Sequence, residues 1–527
     1  MKFITGTDRK QLALFPTCLD DSLDPENETR LIDLFVDSLD LASQGFDMDF
    51  IDNGRPAYHP GDLLRLFIYG YLNRIRSSRA LEKECKRNIE LIWLLKGLAP
   101  DHNTISNFRR DNSVAIKKVF RATVQMARYF DLIGGKLIAG DSTKLRAQNS
   151  KKNNFNQKKI ERHLAYIEEK LAQYQAELAQ ADNDPEKQSE ISGEMAKHQN
   201  RKANYESLKE KLNNTGQEQI STSDPDSRQM IVRNNITEVA YNVQSTTDAK
   251  HNLPIDFRVT NNNDSKAMGP MLRRAKSILR TNQFTALFDK GYHTGSEIKT
   301  AIDLGIEPIV AIPAISSSSV APDPAYNISQ FSYDPNSHSY ICPQGNSLTT
   351  NGNWYNKERK SAMRKYATSV KVQHFKTTAC KSCPVLDLCT KNTRGRGRVI
   401  ERTQHQDYID INKRNVEQKE HLYKRRQAII EHTYGTIKRQ WNFHYVITKK
   451  GMDKAAADVG LMFTAYNLRR IFNLGGREVL KKYRRMLWLG FLAVWGLSQL
   501  KIRRILTPGY FEPANRLFFH SLPIQRK

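Results

Sequence analysis

Residues 284–292 read Phe-Thr-Ala-Leu-Phe-Asp-Lys-Gly-Tyr, an apolar run that ends at an aspartate. Short apolar runs bounded by turn residues are typical of buried strands, so we expect a strand that stops at Asp289. Gly291 allows a tight turn just beyond it. Residues 136–141 repeat the pattern, because a short and mostly apolar run there ends at Gly140 and Asp141. The two segments predict two strands, each followed by an aspartate.

A third acidic residue, Glu431, lies in a basic segment that we predict to be one long helix from about 412 to 439. Lys438 follows close to two helical turns later, so both side chains are expected on one helix face, with Tyr434 between them. A lone Asp at a strand end is usually a turn or cap residue, and a lone surface Glu usually pairs with a nearby Lys or Arg. Together, however, the three acids match what phosphodiester chemistry needs, because hard divalent cations prefer carboxylate oxygens from separate elements.

The composition points to a polyanionic partner. The chain has 527 residues, and 82 Lys and Arg against 56 Asp and Glu give a net charge of +26. Nucleic acid is favoured over an anionic membrane surface, because Lys and Arg neutralise backbone phosphates. The first 20 residues have no apolar core of signal-peptide type. The apolar stretch Met486–Leu500 is short for a membrane span and predicts a buried or partner-binding helix.

The chain divides into several predicted parts. Residues 1–130 predict a helical N-terminal domain, in which Asp101, Asn103 or Thr104 caps a helix that presents Arg109 and Arg110. DNA docking by this helix and a plain helical bundle with a basic surface remain equally open. Residues 131–475 predict a catalytic domain, and residues 476–527 form a basic C-terminal tail.

Two insertions interrupt residues 131–475. The first, residues 150–222, predicts a helical hairpin for dimerisation, DNA contact or spacing, because its apolar residues form a heptad seam: Ile160, Leu164, Ile167, Leu171, Tyr174 and Leu178. The second, residues 313–405, is rich in loops and cysteines. Cys380, Cys383 and Cys389 form a C-x2-C-x5-C run, with Cys342 upstream, and these four predict a tetrahedral structural zinc site.

These motifs resemble the insertion-sequence DDE transposases, which combine an RNase H-like catalytic domain with a fused helical N-terminal transposase domain. Gly140–Thr143 resembles the end of the first-Asp strand, and Asp289–Tyr292 resembles the second-Asp motif. The basic helix resembles the family pattern of Tyr, two residues, Arg, three residues, Glu, six residues and Lys. The resemblance spans residues 55–475.

One spacing departs from that pattern. Tyr423 and Arg426 fit its first half, and Glu431 and Lys438 fit its second, but four residues separate Arg426 from Glu431. Gln427 occupies the position of the Arg when the pattern is counted back from Glu431. Arg425 and Lys424 are the alternatives to Arg426.

The resemblance implies an α/β fold: an RNase H-like mixed sheet flanked by helices, with the helical N-terminal domain and both insertions. It implies that catalytic Asp141, Asp289 and Glu431 bind Mg²⁺ or Mn²⁺. Contacts to double-stranded DNA, at the element's terminal repeats and in the target, would come from a basic and aromatic set: Lys438, Tyr434, Arg426, Arg425, Arg109 and Arg110.

The resemblance further implies a protein that cleaves DNA and joins strands. It would act in the cytoplasm at the bacterial nucleoid, as a homodimer on DNA, and would not bind a membrane. A nuclease of the same fold that does not join strands and an inactive DNA-binding relative remain open. Asp264 and Glu420 are the next acids to test.

Overall fold

The computed structural model describes residues 18–49, 56–180, 184–233, 236–314, 320–357, 370–392 and 397–505. The helices in these residues are α1 (Thr29–Asp37), α2 (Leu41–Gln44), α3 (Pro60–Leu72), α4 (Ser78–Cys85), α5 (Ile89–Leu94), α6 (His102–Asp111), α7 (Ser113–Tyr129), α8 (Gln157–Gln180), α9 (Pro185–Thr215), α10 (Met268–Leu279), α11 (Gly295–Asp303), α12 (Leu386–Cys389), α13 (Gln406–Gln418), α14 (Glu420–Tyr434) and α15 (Met452–Ile505). The strands are β1 (Leu137–Arg146), β2 (Asn154–Phe155), β3 (Ile220–Ser221), β4 (Arg228–Arg233), β5 (Ile236–Asp248), β6 (Leu253–Thr260), β7 (Thr285–Phe288), β8 (Glu307–Val310), β9 (Ser332–Asp334), β10 (Ser339–Ile341), β11 (Ser347–Leu348), β12 (Tyr355–Lys357), β13 (Val370–Phe375) and β14 (Ile400–Thr403).

A mixed six-stranded sheet forms the centre, which confirms the predicted mixed α/β class. Its order is β4-β5-β1-β7-β8, and β6 also pairs with the long β5. β5 is antiparallel to β1, β4 and β6, whereas β7 is parallel to both β1 and β8. The two segments that the sequence predicted as strands, β1 and β7, are therefore direct neighbours at the centre of the sheet.

One hydrophobic core joins the N-terminal helices to one face of the sheet through α15. Its members include Phe35 of α1, Phe67 of α3, Phe120 of α7, Phe257 of β6 and Phe463 of α15. The rings of Phe120, Phe257 and Phe463 pack pairwise with centroids 5.1 to 5.9 Å apart. The N-terminal helices thus share their apolar contacts with the sheet domain.

The opposite face of the sheet is covered by α14. Ile429 and Ile430 of this helix form a small core with Ala139 of β1, Leu287 of β7 and Ile309 of β8. Because side chains alternate across a strand, Asp141 and Asp289 share a face with Ala139 and Leu287. The helix that carries Glu431 therefore covers the face to which both aspartates belong.

The first insertion is a helical hairpin, α8 and α9, on a two-stranded base formed by β2 and β3. Ile160 and Ile167 of the predicted seam are buried, and Tyr174 contacts His198 across the hairpin. At the base, Phe155, Ile160 and Leu212 form a separate core. The seam predicted from the heptad spacing thus lies between the two helices.

The second insertion holds two three-stranded sheets, β11-β10-β9 and β12-β13-β14. Phe331, Tyr340, Leu348, Phe375 and Ile400 form its small core. This core is much smaller than that of the sheet domain, as expected for an insertion that needs a further source of stability.

The C-terminal part differs from the prediction in two ways. The single helix expected over 412–439 is two helices, α13 and α14, which meet at Lys419, followed by a π-helical turn at Gly435–Gln440. The tail expected from 476 begins within α15, which bends at Gly476, where φ is 45°. Residues 506–527 of that tail lie outside the described residues. Among the described helices, none combines the length and the apolar character that a membrane span requires.

Gly140 is required by close packing beside Asp141. A Cβ at this position lies only 2.0 Å from Cε1 of Phe288, the residue before Asp289. We expect Gly140→Ala to destabilise the protein by about 2 kcal/mol, because the ring must shift in a packed core. The matched control is Gly193→Ala in the exposed α9, where an added Cβ meets no atom within 4 Å. That substitution is expected to raise the thermal midpoint slightly, since Ala favours helix over Gly, and equal midpoints for the two variants contradict the packing argument.

Candidate active site

The parallel pairing of β1 with β7 brings the two aspartates together. Ile138 pairs with Ala286, and Ala139 pairs with Leu287. Continuing this register by two residues places Asp141 level with Asp289 on the neighbouring strand. Their charges interact, since Asp289 raises the pKa of Asp141. Adjacent carboxylates of this kind repel one another until a cation lies between them.

Arg426 of α14 supplies a positive charge at this position. Its Nη1 donates to Oδ2 of Asp141 at 2.9 Å, and both side chains are mostly buried, with 18% and 21% exposure. Burial raises the pKa of Asp141 above its ordinary value, Arg426 opposes that rise and Asp289 adds to it. Burial lowers the pKa of Arg426, but Asp141, Tyr423 and Asp289 together raise it above its ordinary value. The two adjacent aspartates therefore attract a cation.

Asp289 also ends its strand structurally. Its Oδ1 accepts a hydrogen bond from the backbone N–H of Gly291 at 2.8 Å and caps the short 3₁₀ helix Lys290–Tyr292. The cap role that sequence statistics favour is thus present, and the second carboxylate oxygen takes no part in it.

A polar network lies next to Asp141 on β1 and β5. Asp264 accepts hydrogen bonds from Asn242 and Gln244, and forms an ion pair with Lys144 at 3.1 Å. Burial acts to raise the pKa of Asp264, but Lys144 and the hydrogen bond from Asn242 lower it below its ordinary value. Asp264 is therefore a carboxylate fixed by partners of its own.

Tyr292 and Tyr434 enclose the aspartates. The hydroxyl of the fully buried Tyr292 donates to Gln244, and that of Tyr434 is 2.6 Å from Oγ of Ser245. Burial raises the pKa of both tyrosines, and the charge of Asp141 raises each further. Tyr434 was predicted to contact DNA, but its hydroxyl is directed to the sheet, where it holds α14 against β1 and β5.

Glu431 is exposed, and its Oε1 accepts a hydrogen bond from Gln427, one turn earlier on α14, at 2.8 Å. Among the described residues, no group of three or more His, Cys, Asp or Glu side chains is placed to hold a metal ion. The structure thus brings Asp141 and Asp289 together, but not Glu431 with them.

Lys438 is not in the regular α-helix that its predicted position on one face with Glu431 assumed. It lies in the π-helical turn, whose wider spacing departs from the helical period on which that prediction depended. Its Nζ donates to Oγ1 of Thr143 at 2.9 Å, just beyond Asp141 on β1. Arg425, by contrast, is exposed on α14.

The helix α6 begins as predicted but turns one of its arginines inward. Asp101 caps it by accepting from the backbone N–H groups of Asn103 and Thr104.

Arg109 is only 7% exposed, and its Nη1 donates to the backbone carbonyl of Arg76 at 3.2 Å. Arg109 is therefore not presented on the surface as expected, because the spacing of three and four from Ile105 places Phe108 and Arg109 on the buried face. Arg110 is exposed and paired with Asp111.

The four cysteines of the second insertion line one small cavity: Cys342, Cys380, Cys383 and Cys389. Each is half-buried and unpaired. Burial raises the pKa of Cys389, Arg398 lowers it and the other three thiols raise it. Gly397, with φ at 73°, leaves room for Cys380, because a Cβ there is only 2.4 Å from Cβ of Cys380.

Four polar residues that hold the site had no role predicted from the sequence: Ser142, Lys144, Ser245 and Tyr292. A signal was present in β5, where polar residues continue through a strand at the centre of the sheet. Asn242, Gln244 and Ser245 are almost fully buried, and buried polar side chains require partners.

Two regions of the chain match models of known domain families. Residues 17–111 match a transposase domain (DUF772), and residues 341–472 match a transposase DDE domain. No curated protein matches the chain. The matches confirm the resemblance to insertion-sequence DDE transposases. The DDE match contains Glu431 and Lys438, whereas Asp141 and Asp289 lie before it.

Proposed function

We propose that this chain, two regions of which match transposase domain models, cleaves DNA at the ends of an insertion sequence and transfers the freed 3′ end into target DNA. Asp141, Asp289 and Glu431 would hold Mg²⁺ or Mn²⁺. The observation that carries the proposal is the pair of aspartates on adjacent parallel strands, with a guanidinium already on Asp141. Bound divalent cations lower the pKa of the attacking water and stabilise the leaving oxygen.

The topology supports an RNase H-like catalytic domain. Three antiparallel strands, β1, β5 and β6, are followed in chain order by β7 and β8, which extend the sheet in parallel on the other side of β1. Asp141 on β1, Asp289 directly after the neighbouring strand β7 and Glu431 on the covering helix α14 correspond to the positions that the resemblance implies.

The side chains around the aspartates have roles of their own. Arg426 neutralises Asp141 before a metal binds and then becomes free to contact a backbone phosphate. Tyr434 and Lys438 fix α14 and the π-helical turn on β1 and β5, so they position the helix that carries Glu431. Of the predicted DNA contacts, the exposed Arg425 and Arg110 remain in the proposal, while Arg109 does not.

A strand-transfer assay tests the proposed function. The full chain is incubated with a labelled duplex of the element's own end, a target plasmid and Mg²⁺. We expect label joined to the plasmid. Nicked duplex without joined product indicates a nuclease, and a mobility shift without cleavage indicates a DNA-binding protein. Either of these two results overturns strand transfer as the function.

We also propose that the four cysteines bind a structural zinc ion. The residue types fit zinc, which prefers four thiolates in tetrahedral sites, and Gly397 leaves the space that Cys380 needs; the described thiols line one cavity but are not placed as a formed metal site, so zinc binding has to draw them together. The small core of this insertion gives zinc binding a folding role, because metal affinity then adds to stability.

Cys383→Ser tests the zinc proposal. We expect about one zinc per chain in the unsubstituted protein and much less in this variant, together with faster proteolysis of residues 313–405. The control is Cys18→Ser, which replaces an exposed cysteine outside the cluster. Absence of zinc from the unsubstituted protein, with the four thiols freely alkylated in the folded state, contradicts the proposal.

A further inference from the structure

A cleft of about 390 Å³ opens where the base of the helical hairpin meets the outer strand of the sheet. It is lined by residues from the start of α8 and from β4: Asn154, Asn156, Lys158, Lys159, Arg162 and Gln229. No acidic side chain lines it. A cleft lined by cations and amides is suited to an anion.

A buried donor without a partner lies in the wall of the cleft. Asn154 is 2% exposed, and its Nδ2 has no hydrogen-bond partner within the described residues. An unsatisfied buried donor costs about 1–3 kcal/mol. An acceptor oxygen within the cleft removes that cost.

The surrounding charges select an anion as that acceptor. Lys158 and Arg162 are exposed, and neither has an ion-pair partner among the residues that the structure describes. Lys159 is fixed, because its Nζ donates to the carbonyls of Lys151, Lys152 and Asn154. Burial lowers the pKa of His163 on the next turn, and the nearby positive charges of Lys159, Arg162 and Arg201 lower it further. The N-terminus of α8 adds its helix dipole to this field.

We propose that this cleft binds a phosphate of the DNA backbone and so makes the hairpin base a DNA-binding element. Asn154 donates to a phosphate oxygen, and Lys158 and Arg162 neutralise its charge. The inference relies on the proposed function only in taking DNA as the polyanion.

The position of the cleft suits a duplex that also reaches the aspartates. Asp141 pairs with Ser245 on β5, and Gln229 pairs with Val239 on the same strand. Those two points on β5 are roughly 20 Å apart, given about 3.3 Å per residue in a strand. This distance corresponds to roughly six base pairs of B-DNA.

Arg162→Glu tests the inference in the full chain. Affinity for a labelled duplex is measured by fluorescence anisotropy in EDTA over a range of salt concentrations, so that cleavage plays no part. We expect about a ten-fold loss of affinity and a log–log salt slope lower by about one, because one phosphate contact is lost. The matched control is Lys187→Glu, the same change of charge on an exposed residue near the other end of the hairpin, which is expected to leave both quantities nearly unchanged. Equal effects of the two substitutions overturn the inference, since they indicate a general charge effect.

Asn154→Asp provides a second, nearly isosteric test. It replaces the unpaired donor with a carboxylate and is expected to weaken DNA binding at least as much as Arg162→Glu. Thermal unfolding with and without inorganic phosphate, at constant ionic strength, separates DNA from free phosphate as the ligand. The assignment to DNA is overturned if inorganic phosphate stabilises the unsubstituted chain, Arg162→Glu removes that stabilisation, and the DNA affinity of Arg162→Glu is unchanged. If the unsubstituted chain shows no strand transfer but its DNA binding depends on Arg162, the proposed function is contradicted and the inference about the cleft is not.

Discussion

Asp289→Asn is expected to abolish cleavage and strand transfer while leaving DNA affinity nearly unchanged. The substitution removes a negatively charged metal ligand from the pair of aspartates but no contact to a phosphate. Metal coordination supplies several kcal/mol of transition-state stabilisation, so the rate should fall by roughly 10³-fold or more. The measurements are the strand-transfer assay and DNA anisotropy on the same preparation.

The fold should survive this substitution. Asn keeps a carbonyl oxygen, which can accept from the N–H of Gly291 as Oδ1 of Asp289 does. Removal of the charge also relieves the repulsion that raises the pKa of Asp141. We therefore expect the thermal midpoint without metal to be unchanged or slightly higher.

Metal binding gives a readout that is independent of activity. A ligand that binds only the folded state raises its stability, so Mn²⁺ should raise the thermal midpoint of the unsubstituted chain, and should do so much less in Asp289→Asn. The control is Asp303→Asn on α11, an exposed carboxylate paired with Lys299, which should retain both the metal response and activity. Cleavage by Asp289→Asn at the unsubstituted rate shows that Asp289 is not a ligand.

The aspartates were predictable because their signals are local. Each ends an apolar run, and strand ends can be recognised from a few neighbouring residues. Their alignment was not predictable, because the pairing of Ala139 with Leu287 joins segments that the whole hairpin and three further strands of the sheet separate in sequence. The resemblance implied this alignment, and the register supports it.

The failures come from long-range contacts and from irregular helix geometry. Lys438 was placed by the period of a regular helix, and the π-helical turn breaks that period. Tyr434 was predicted as a DNA contact because the sequence does not reveal Ser245 as its partner. Arg109 is different, since its spacing from Ile105 and Phe108 already indicated the buried face and was outweighed by its charge.

Glu431, the proposed third metal ligand, and the rival acid Asp264 lie in environments that predict opposite effects of substitution. Glu431 is exposed, and within the described residues its side chain is hydrogen-bonded only to Gln427 of the same helix, so Glu431→Gln should change stability by no more than about 0.5 kcal/mol. Asp264 neutralises the mostly buried Lys144, so Asp264→Asn should destabilise the fold by about 1–3 kcal/mol.

Glu431→Gln is therefore expected to lower the rate of cleavage by about 100-fold or more at an unchanged thermal midpoint, because a metal ligand is lost and little packing is lost with it. Glu420→Gln is the control on the same helix, since that exposed carboxylate pairs only with Lys424 among the ion pairs of the described residues. Asp264→Asn, assayed well below its lowered midpoint, should keep more activity than Glu431→Gln, because Asp264 holds Lys144, Asn242 and Gln244 and is not available to a metal. The reverse order, with Glu431→Gln active and folded Asp264→Asn inactive, assigns the third ligand to Asp264 and leaves the helix that carries Glu431 with a structural role.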